Sequence, residues 1–441
     1  MSKPVEQPSN EEAKGPGGTE TGDGDNTPKE TGPPDGGYGW IVALCVFAQN
    51  AVTWGLATTF GVFLSFFLED DYFPGATRLH YAFIGGLQVG MALLCSPGAN
   101  YVSRRFGFRV SMTAGTIGVA LGQIFAGLST EIWQLFLAQG VLFGASMGFV
   151  FIPALPILGQ WFSRRRAVAF GFATGGSGLG GLVFSITTRL AIEHISIKWA
   201  YIINGLISLI CLLPSVILMR PRVQSIESSW QTFQLSWLVH RGYVWVYLWA
   251  FLSMLGYVIG LFTLPTYATQ ALQLSQSQGS TLQAVLSAAQ MLGRPCVGIT
   301  LDSAGRINMA GMATLVAGLA VLLIWNFADS FAVLIVFSIF EGFTFGTIWA
   351  ASGPVSAEVV GVENLGSALA PYWVALALPA IGAEPIALEL LTYSQETLGW
   401  DGQRAFRIMI NFAGGAFILA AICLYGAKVY VQKSWKPFIK T

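Results

Sequence analysis

From Trp40 to Tyr430 the chain alternates long apolar runs with short polar breaks. The runs are about 20 residues long, the length at which a helix rising about 1.5 Å per residue crosses the hydrocarbon core of a bilayer. Twelve spans are predicted, near 40–66, 81–101, 110–128, 132–157, 168–191, 198–219, 244–268, 279–300, 308–326, 331–352, 364–391 and 405–430. The third and fourth lie so close together that a tight turn is expected over Ser129–Ile132. The longest polar interruption, 220–243, divides the spans six and six. The pattern predicts an all-α polytopic membrane protein with an N-terminal half at 39–219, a central loop at 220–243, a C-terminal half at 244–430 and a tail at 431–441. Residues 1–38 are a leader, rich in Gly, Pro, Glu, Asp and Thr up to Pro34, that is too poor in apolar side chains to fold.

Composition agrees with this pattern. Of 441 residues, 54% are hydrophobic and 10% charged, too apolar for a soluble surface to cover. Net charge is zero, so only the placement of the charges is informative. With the N-terminus in the cytoplasm, the inner loops collect Arg104, Arg105, Arg109, Arg164, Arg165, Arg166, Arg220, Arg222, Arg241 and Arg306, whereas the outer loops hold Arg78, Lys198, Arg404 and Arg407. The rule that basic loops stay inside then predicts two cytoplasmic termini. The apolar runs begin only after the leader, so no cleavable signal peptide is expected, and the plasma membrane is the expected location. The five cysteines lie in apolar runs without metal-ligand spacing and read as packing residues. Neither a metal site, a cofactor nor a catalytic constellation is expected, and with no ATP-binding motif the energy for any transport must come from a gradient.

The two halves echo each other. NYVSRRFGFR (100–109) follows the second span and GITLDSAGR (298–306) the eighth, each a short basic turn. Parallel six-helix repeats build carriers whose site lies between the halves near the midplane. In the fifth span Gly171, Gly175, Gly176, Gly178, Gly180 and Gly181 offer small surfaces for close helix approach, as do Gly140, Gly144 and Gly148 in the fourth. In PPDGGYGW (33–40), the prolines stop any upstream helix, Asp35 is suited to cap free amides, and Tyr38 and Trp40 suit the headgroup region.

The turn holding Gly298, Asp302, Gly305 and Arg306 resembles the loop signature of the major facilitator superfamily, which implies that fold and makes Asp302, Gly305 and Arg306 a conformational loop. The earlier copy is degenerate, with Asn100 and Arg104 in place of the signature's glycine and acid. PPDGGYGWIV, GQWFSRRRAVAFGFATGGSGLGG (159–181) and GRPCVG (293–298) are similar to segments of the monocarboxylate porter family, with NAVTWG, FPGAT and YAFIGG resembling fungal members. The resemblance implies a secondary transporter of an organic anion or weakly acidic metabolite, by uptake or by efflux of a fungal metabolite. A membrane enzyme or a nutrient sensor without transport finds little support in these residues.

The charge at Arg294 needs a separate account. A mid-membrane arginine costs about 2.5–3.5 kcal/mol on insertion scales and normally faces a cavity or a partner. Asp302 lies about 12 Å further along the same helix, too far for easy escape to the surface. A guanidinium is a fixed fork of donors matched to a carboxylate, and in the resembling family the arginine at this place binds the anion. Arg294 is therefore the expected substrate anchor, with Gln290, Thr58 and Thr59 beside it. Proton-coupled members of that family have an aspartate and a lysine where this chain has Gln290 and Thr58, so protons, if they are a partner, need another carrier. Glu341, in the tenth span, is expected either to carry a proton or to neutralise Arg294; Glu384 and Glu389 lie toward the outer part of the eleventh. Arg189, near Glu193, is expected to snorkel outward. Gln49, Asn50, Gln88 and Asn411, with Trp54, Tyr257, Tyr372 and Trp373, are further candidates for the wall of a central cavity.

Overall fold

The bilayer core contains no water, so each crossing must satisfy its own backbone amides and carbonyls, which a helix does. The computed structural model describes residues 35–69, 72–222, 235–361 and 364–432, and among these no strand occurs. Most of the expected leader, central loop and tail (1–34, 223–234 and 433–441) lies outside the described residues. Twelve spans emerge: α1 (Tyr38–Leu64), α2 (Arg78–Leu94 and Ser96–Phe106), α3 (Phe108–Leu128), α4 (Ile132–Trp161), α5 (Arg166–His194), α6 (Ile197–Leu218), α7 (Tyr243–Ala271), α8 (Gln276–Ala304), α9 (Arg306–Phe327), α10 (Phe331–Val360), α11 (Ala368–Thr397) and α12 (Gly402–Gln432). The span expected at 81–101 is α2, bent by 40° between Leu94 and Ser96. Pro97 lies in the first turn after the bend, where its missing N–H costs nothing. The tight turn between α3 and α4 is present, with the Ser129 hydroxyl donating to Phe125 O and the Thr130 amide to Gln134 Oε1.

The two echoing loops turn on glycine. Gly107, between α2 and α3, has φ 92°, and Gly305, between α8 and α9, has φ 98°. That region is strained for any residue bearing a Cβ, so each helix pair reverses at the one residue type that permits it. Six spans precede residues 223–234 and six follow, as the polar interruption in the sequence predicts.

α5 is the structural pivot because its neighbours reach its backbone. A Cβ at Gly176 or Gly180 would collide with the carbonyls of Phe47 and Ala51 on α1, and one at Gly171 would lie 2.5 Å from Arg294 O on α8. One glycine face thus abuts α1 in its own half and another abuts α8 across the molecule. Gly144 and Gly148 of α4 likewise press on the carbonyls of Gln88 and Ala92 of α2. Helices in lipid gain no hydrophobic drive from meeting each other, so close backbone packing of this kind supplies the association energy.

The N-terminus of α5 is held from outside its own helix. Asp35 accepts the backbone amides of Ser163, Arg164 and Arg165 at 2.8, 3.2 and 3.1 Å, and its own amide donates to Trp161 O. The capping expected of Asp35 therefore serves the start of α5 rather than α1, and a negative charge there also complements the helix dipole. Slight desolvation would raise the Asp35 carboxyl, but the three amide donors and the Arg164 charge outweigh it and hold it below the usual carboxylate range. A carboxylate depressed in the folded state contributes stability that is present at neutral pH and lost as pH falls through the folded value. Asp35→Ala is thus expected to lower the thermal midpoint of the detergent-solubilised protein at pH 7, with the gap to wild type closing in acid below the normal carboxylate range. A gap that persists unchanged in acid would assign the loss to packing instead.

Candidate functional site

A cavity lies where the two sets of six spans meet. Its walls come from α1 (Asn50, Trp54, Ala57, Thr58), α2, α4 and α5 on one side and from α7 (Tyr257, Val258, Leu261, Phe262), α8 (Arg294) and α10 (Trp349) on the other. Its free volume is about 20 Å³, room for about one water, so in this conformation the two sides are closed on each other. The walls use the broken stretches of helix. In α1 the helix is interrupted at Thr53 and Thr59, and the segment between, Trp54–Thr58, supplies three wall residues. α10 is interrupted at Phe345–Gly346, three residues before Trp349. Irregular backbone at membrane depth is tolerated where it lines a cavity or is buried in protein.

Arg294 is 4% exposed. Its Nη1 donates to the Thr174 carbonyl of α5 at 2.7 Å, and its Nη2 to Gln290 Oε1 at 2.8 Å and to the Tyr257 hydroxyl at 3.4 Å, while Nε has no hydrogen-bond partner. The Thr174 carbonyl is available because the close approach of α5 and α8 brings that backbone within reach. Gly346 completes the housing, since a Cβ there would lie 2.8 Å from Nε. Pro295 follows directly in α8; with no N–H to donate, it leaves the Met291 carbonyl without its usual helical partner, and that carbonyl faces Gly175.

The remaining expected residues divide. Thr58 lies on the cavity wall, its hydroxyl bonded back to Gly55 O. Thr59 is fully buried, is not on the wall, and bonds to the same carbonyl. Gln290 reaches the site through Arg294, whose fork it orients. Asn50, Trp54 and Tyr257 are on the wall, but Gln88 is not. Gln88 donates to Ala57 O and accepts from Gln139, which accepts from Gln123, so three amides tie α1, α2, α4 and α3. Gln49 donates to Ser215, and Asn411 accepts from Asn326. Thr174 and Trp349 were missed by sequence reasoning: one acts through its backbone carbonyl, and the other lies within an ordinary aromatic-rich span.

Glu341 is 1% exposed, and neither carboxyl oxygen has a hydrogen-bond partner. It packs against Gly260 of α7 and does not line the cavity. Arg294 donates to Thr174, Tyr257 and Gln290 and makes no ion pair with Glu341, so the expected neutralisation of Arg294 by Glu341 is not made in this conformation. Glu384 lines a second small cavity with Arg78, Thr266 and Gln270, and Phe262 forms part of the wall of both cavities.

Hydrogen bonds join the two sets of spans at both ends. At the basic end, Asp302 accepts the Val168 amide of α5 at 3.2 Å and lies 3.8 Å from Arg306. At the other end, Arg189 pairs with Glu193 at 2.7 Å and donates to Ser277 at 3.2 Å, and Arg78 donates to Gln270 at 3.5 Å. Removing the Asp302 acceptor by Asp302→Ala is expected to increase thiol labelling of a cysteine introduced at the buried Ala167, in a background with the natural cysteines replaced by serine. Unchanged labelling would show that this carboxylate does not hold the basic end closed.

Comparison with known proteins adds to this geometry. Residues 39–383 match the model of the Major Facilitator Superfamily. The chain is 31% identical to "Probable transporter MCH2" of Saccharomyces cerevisiae, over 88% of this chain and 82% of that protein. It is 33% identical to "Uncharacterized transporter ESBP6" of the same yeast over 77% of this chain, but spans only 52% of that longer protein. It is 26% identical to "Fujikurins efflux protein" of Gibberella fujikuroi, over 91% and 86% of the two chains.

Proposed function

The chain belongs to the Major Facilitator Superfamily and is a multi-pass membrane transporter; on that premise we propose that it carries an organic anion or weakly acidic metabolite by alternating access, in the manner of a monocarboxylate porter. The observation that carries this reading is a buried guanidinium on the wall of a cavity between the two sets of spans, with no carboxylate paired to it. Such a charge is costly in the membrane unless something anionic or richly polar meets it. Here backbone, amide and phenol oxygens do so, and each can be exchanged for an oxygen of a ligand. The halves 39–219 and 244–430 are the moving bodies, with Arg294 as anchor, Gln290 as its orienting partner and Thr58 as a wall contact. Thr59 supports the break in α1 that places Thr58. Asp302, Gly305 and Arg306 form the loop that fastens the basic end to α5. Both termini are assigned to the cytoplasm and the protein to the plasma membrane, from the arginines gathered at the basic end.

Arg294→Gln is expected to lower substrate affinity by a hundredfold or so, the loss of a buried charge-assisted pair being worth about 3 kcal/mol. Arg294→Lys keeps the charge without the fork and is expected to fall between. Binding measured on correctly inserted protein decides this, and unchanged affinity in both variants would remove Arg294 from the site.

Proton coupling is assigned to Glu341. An isolated carboxyl group in the membrane suits reversible proton uptake, and it sits five residues before Gly346, the backbone that covers Arg294. Glu341→Gln should flatten the pH dependence of flux in proteoliposomes, and an unaltered pH profile would end this assignment. The direction of transport is a second question. Gln290 and Thr58 in place of the acid and lysine of proton-coupled porters, together with a relative named as an efflux protein, favour export of a metabolite. Comparing acidic metabolites inside and outside cells with and without the protein distinguishes the two: accumulation inside on loss means export, and unconsumed external monocarboxylate means uptake.

A further inference from the structure

The cavity carries information about the shape of its cargo as well as its charge. Trp349 of α10 stacks on Trp373 of α11, with ring centroids 6.0 Å apart and planes 11° apart, and meets the edge of Tyr257 at 6.1 Å. These three rings belong to the C-terminal set of spans. Against Trp349 lies Trp54, at 4.7 Å and 48°, and Trp54 comes from α1 in the N-terminal set. The Arg294 guanidinium also comes from the C-terminal set, and the oxygen on its Nη1 is the Thr174 carbonyl of α5. The N-terminal side therefore offers the C-terminal side two things at once: an oxygen acceptor for a guanidinium and an aromatic ring for a tryptophan.

Both contacts join bodies that must part when the site opens. Parting them exposes a guanidinium with unsatisfied donors and an indole already held by Trp373 and Tyr257. Backbone and side-chain geometry keep the two close. Gly346 abuts Arg294 Nε, Trp349 is three residues further along α10, a rise of about 4.5 Å, and helical side chains lean back toward the N-terminus. Two buried donors, Arg294 Nε and Trp54 Nε1, have no hydrogen-bond partner, which suits a ligand bearing more than one oxygen.

We propose that the cargo is a planar aromatic or conjugated acid, its ring occupying the place that Trp54 takes against Trp349 and its acidic oxygen the place that the Thr174 carbonyl takes on Arg294. The acid group sits on the ring or within one or two carbons of it. This deepens the reading of Arg294 as an anion anchor and rests on it. A saturated acid of the same size satisfies the guanidinium but not the indole face, whereas a short aliphatic acid leaves the aromatic wall uncovered. Aromatic contacts favour ring over saturated carbon by about threefold to tenfold beyond simple burial.

The test uses the full chain in detergent and equilibrium dialysis with two probes matched in size and charge, 2-naphthoate and its saturated counterpart decahydronaphthalene-2-carboxylate. Naphthoate is expected to bind about fivefold or more tightly than the saturated acid. Trp349→Leu should erase that preference while Trp349→Phe retains it, and thermal unfolding of each variant checks that it is folded. Arg294→Gln should abolish binding of both acids. Equal binding of the two acids, with both lost in Arg294→Gln, overturns the aromatic proposal and leaves the anion anchor standing. A preference that survives in folded Trp349→Leu also overturns it. Failure of both acids to bind, or naphthoate binding undiminished in Arg294→Gln, refutes the anchor reading and this proposal with it.

Discussion

The hydrogen bond from Arg294 to the Thr174 carbonyl is the interaction on which the centre of the molecule depends. A guanidinium buried at membrane depth has no water to turn to, so the protein must supply its acceptors. A main-chain carbonyl inside a helix is an unusual donor of help, because it already serves its own ladder and is normally screened by side chains. Here the screen is missing: glycines along α5 let α8 approach until Gly171 touches Arg294 O, and the carbonyl three residues on accepts from the guanidinium. One of the guanidinium's acceptors thus comes from the other set of spans, while Gln290 and Tyr257 supply the rest from its own. A cation held this way belongs to the contact between the halves as much as to its own helix.

That arrangement explains the distribution of irregular backbone. Straight helices packed through glycine would leave no room for a site, and in this conformation only about 20 Å³ is left. The breaks in α1 and α10 sit on either side of this space and set Trp54 and Trp349 against each other. Side chains around the breaks are turned inward on their own helices, as with Thr58 and Thr59 on Gly55 O. Such back-bonding bends helices, so both hydroxyls shape the wall, and Thr58 also lines it.

The contacts at the two ends differ in kind. At the basic end the Asp302 carboxylate of α8 accepts the Val168 amide in the first turn of α5, an interaction strengthened by the helix dipole. At the other end the contacts from Arg189 and Arg78 are long-armed and part-exposed, of the sort worth little individually. α5 takes part at both ends and in the centre.

Much of this was legible in the sequence. Apolar run lengths gave twelve spans, because the bilayer imposes a length on each segment separately, and the run at 81–101 fell within the longer, bent α2 despite the kink at Cys95. The glycine surfaces were legible for a related reason: a helix with small residues on a face has no other way to pack in lipid. Arg294 stood out because charge in such a segment is costly wherever its neighbours are. What the sequence could not determine was who meets whom. Nothing local assigns Thr174 O to Arg294, Asp35 to the start of α5, or Gln88 to an amide relay instead of the cavity wall. Nor could it tell that Thr58 reaches the cavity while its neighbour Thr59 does not, or that Glu341 turns to Gly260 rather than to Arg294. Hydropathy is a property of each span taken alone, whereas partnership depends on which spans abut and in what rotation, and only tertiary packing decides that.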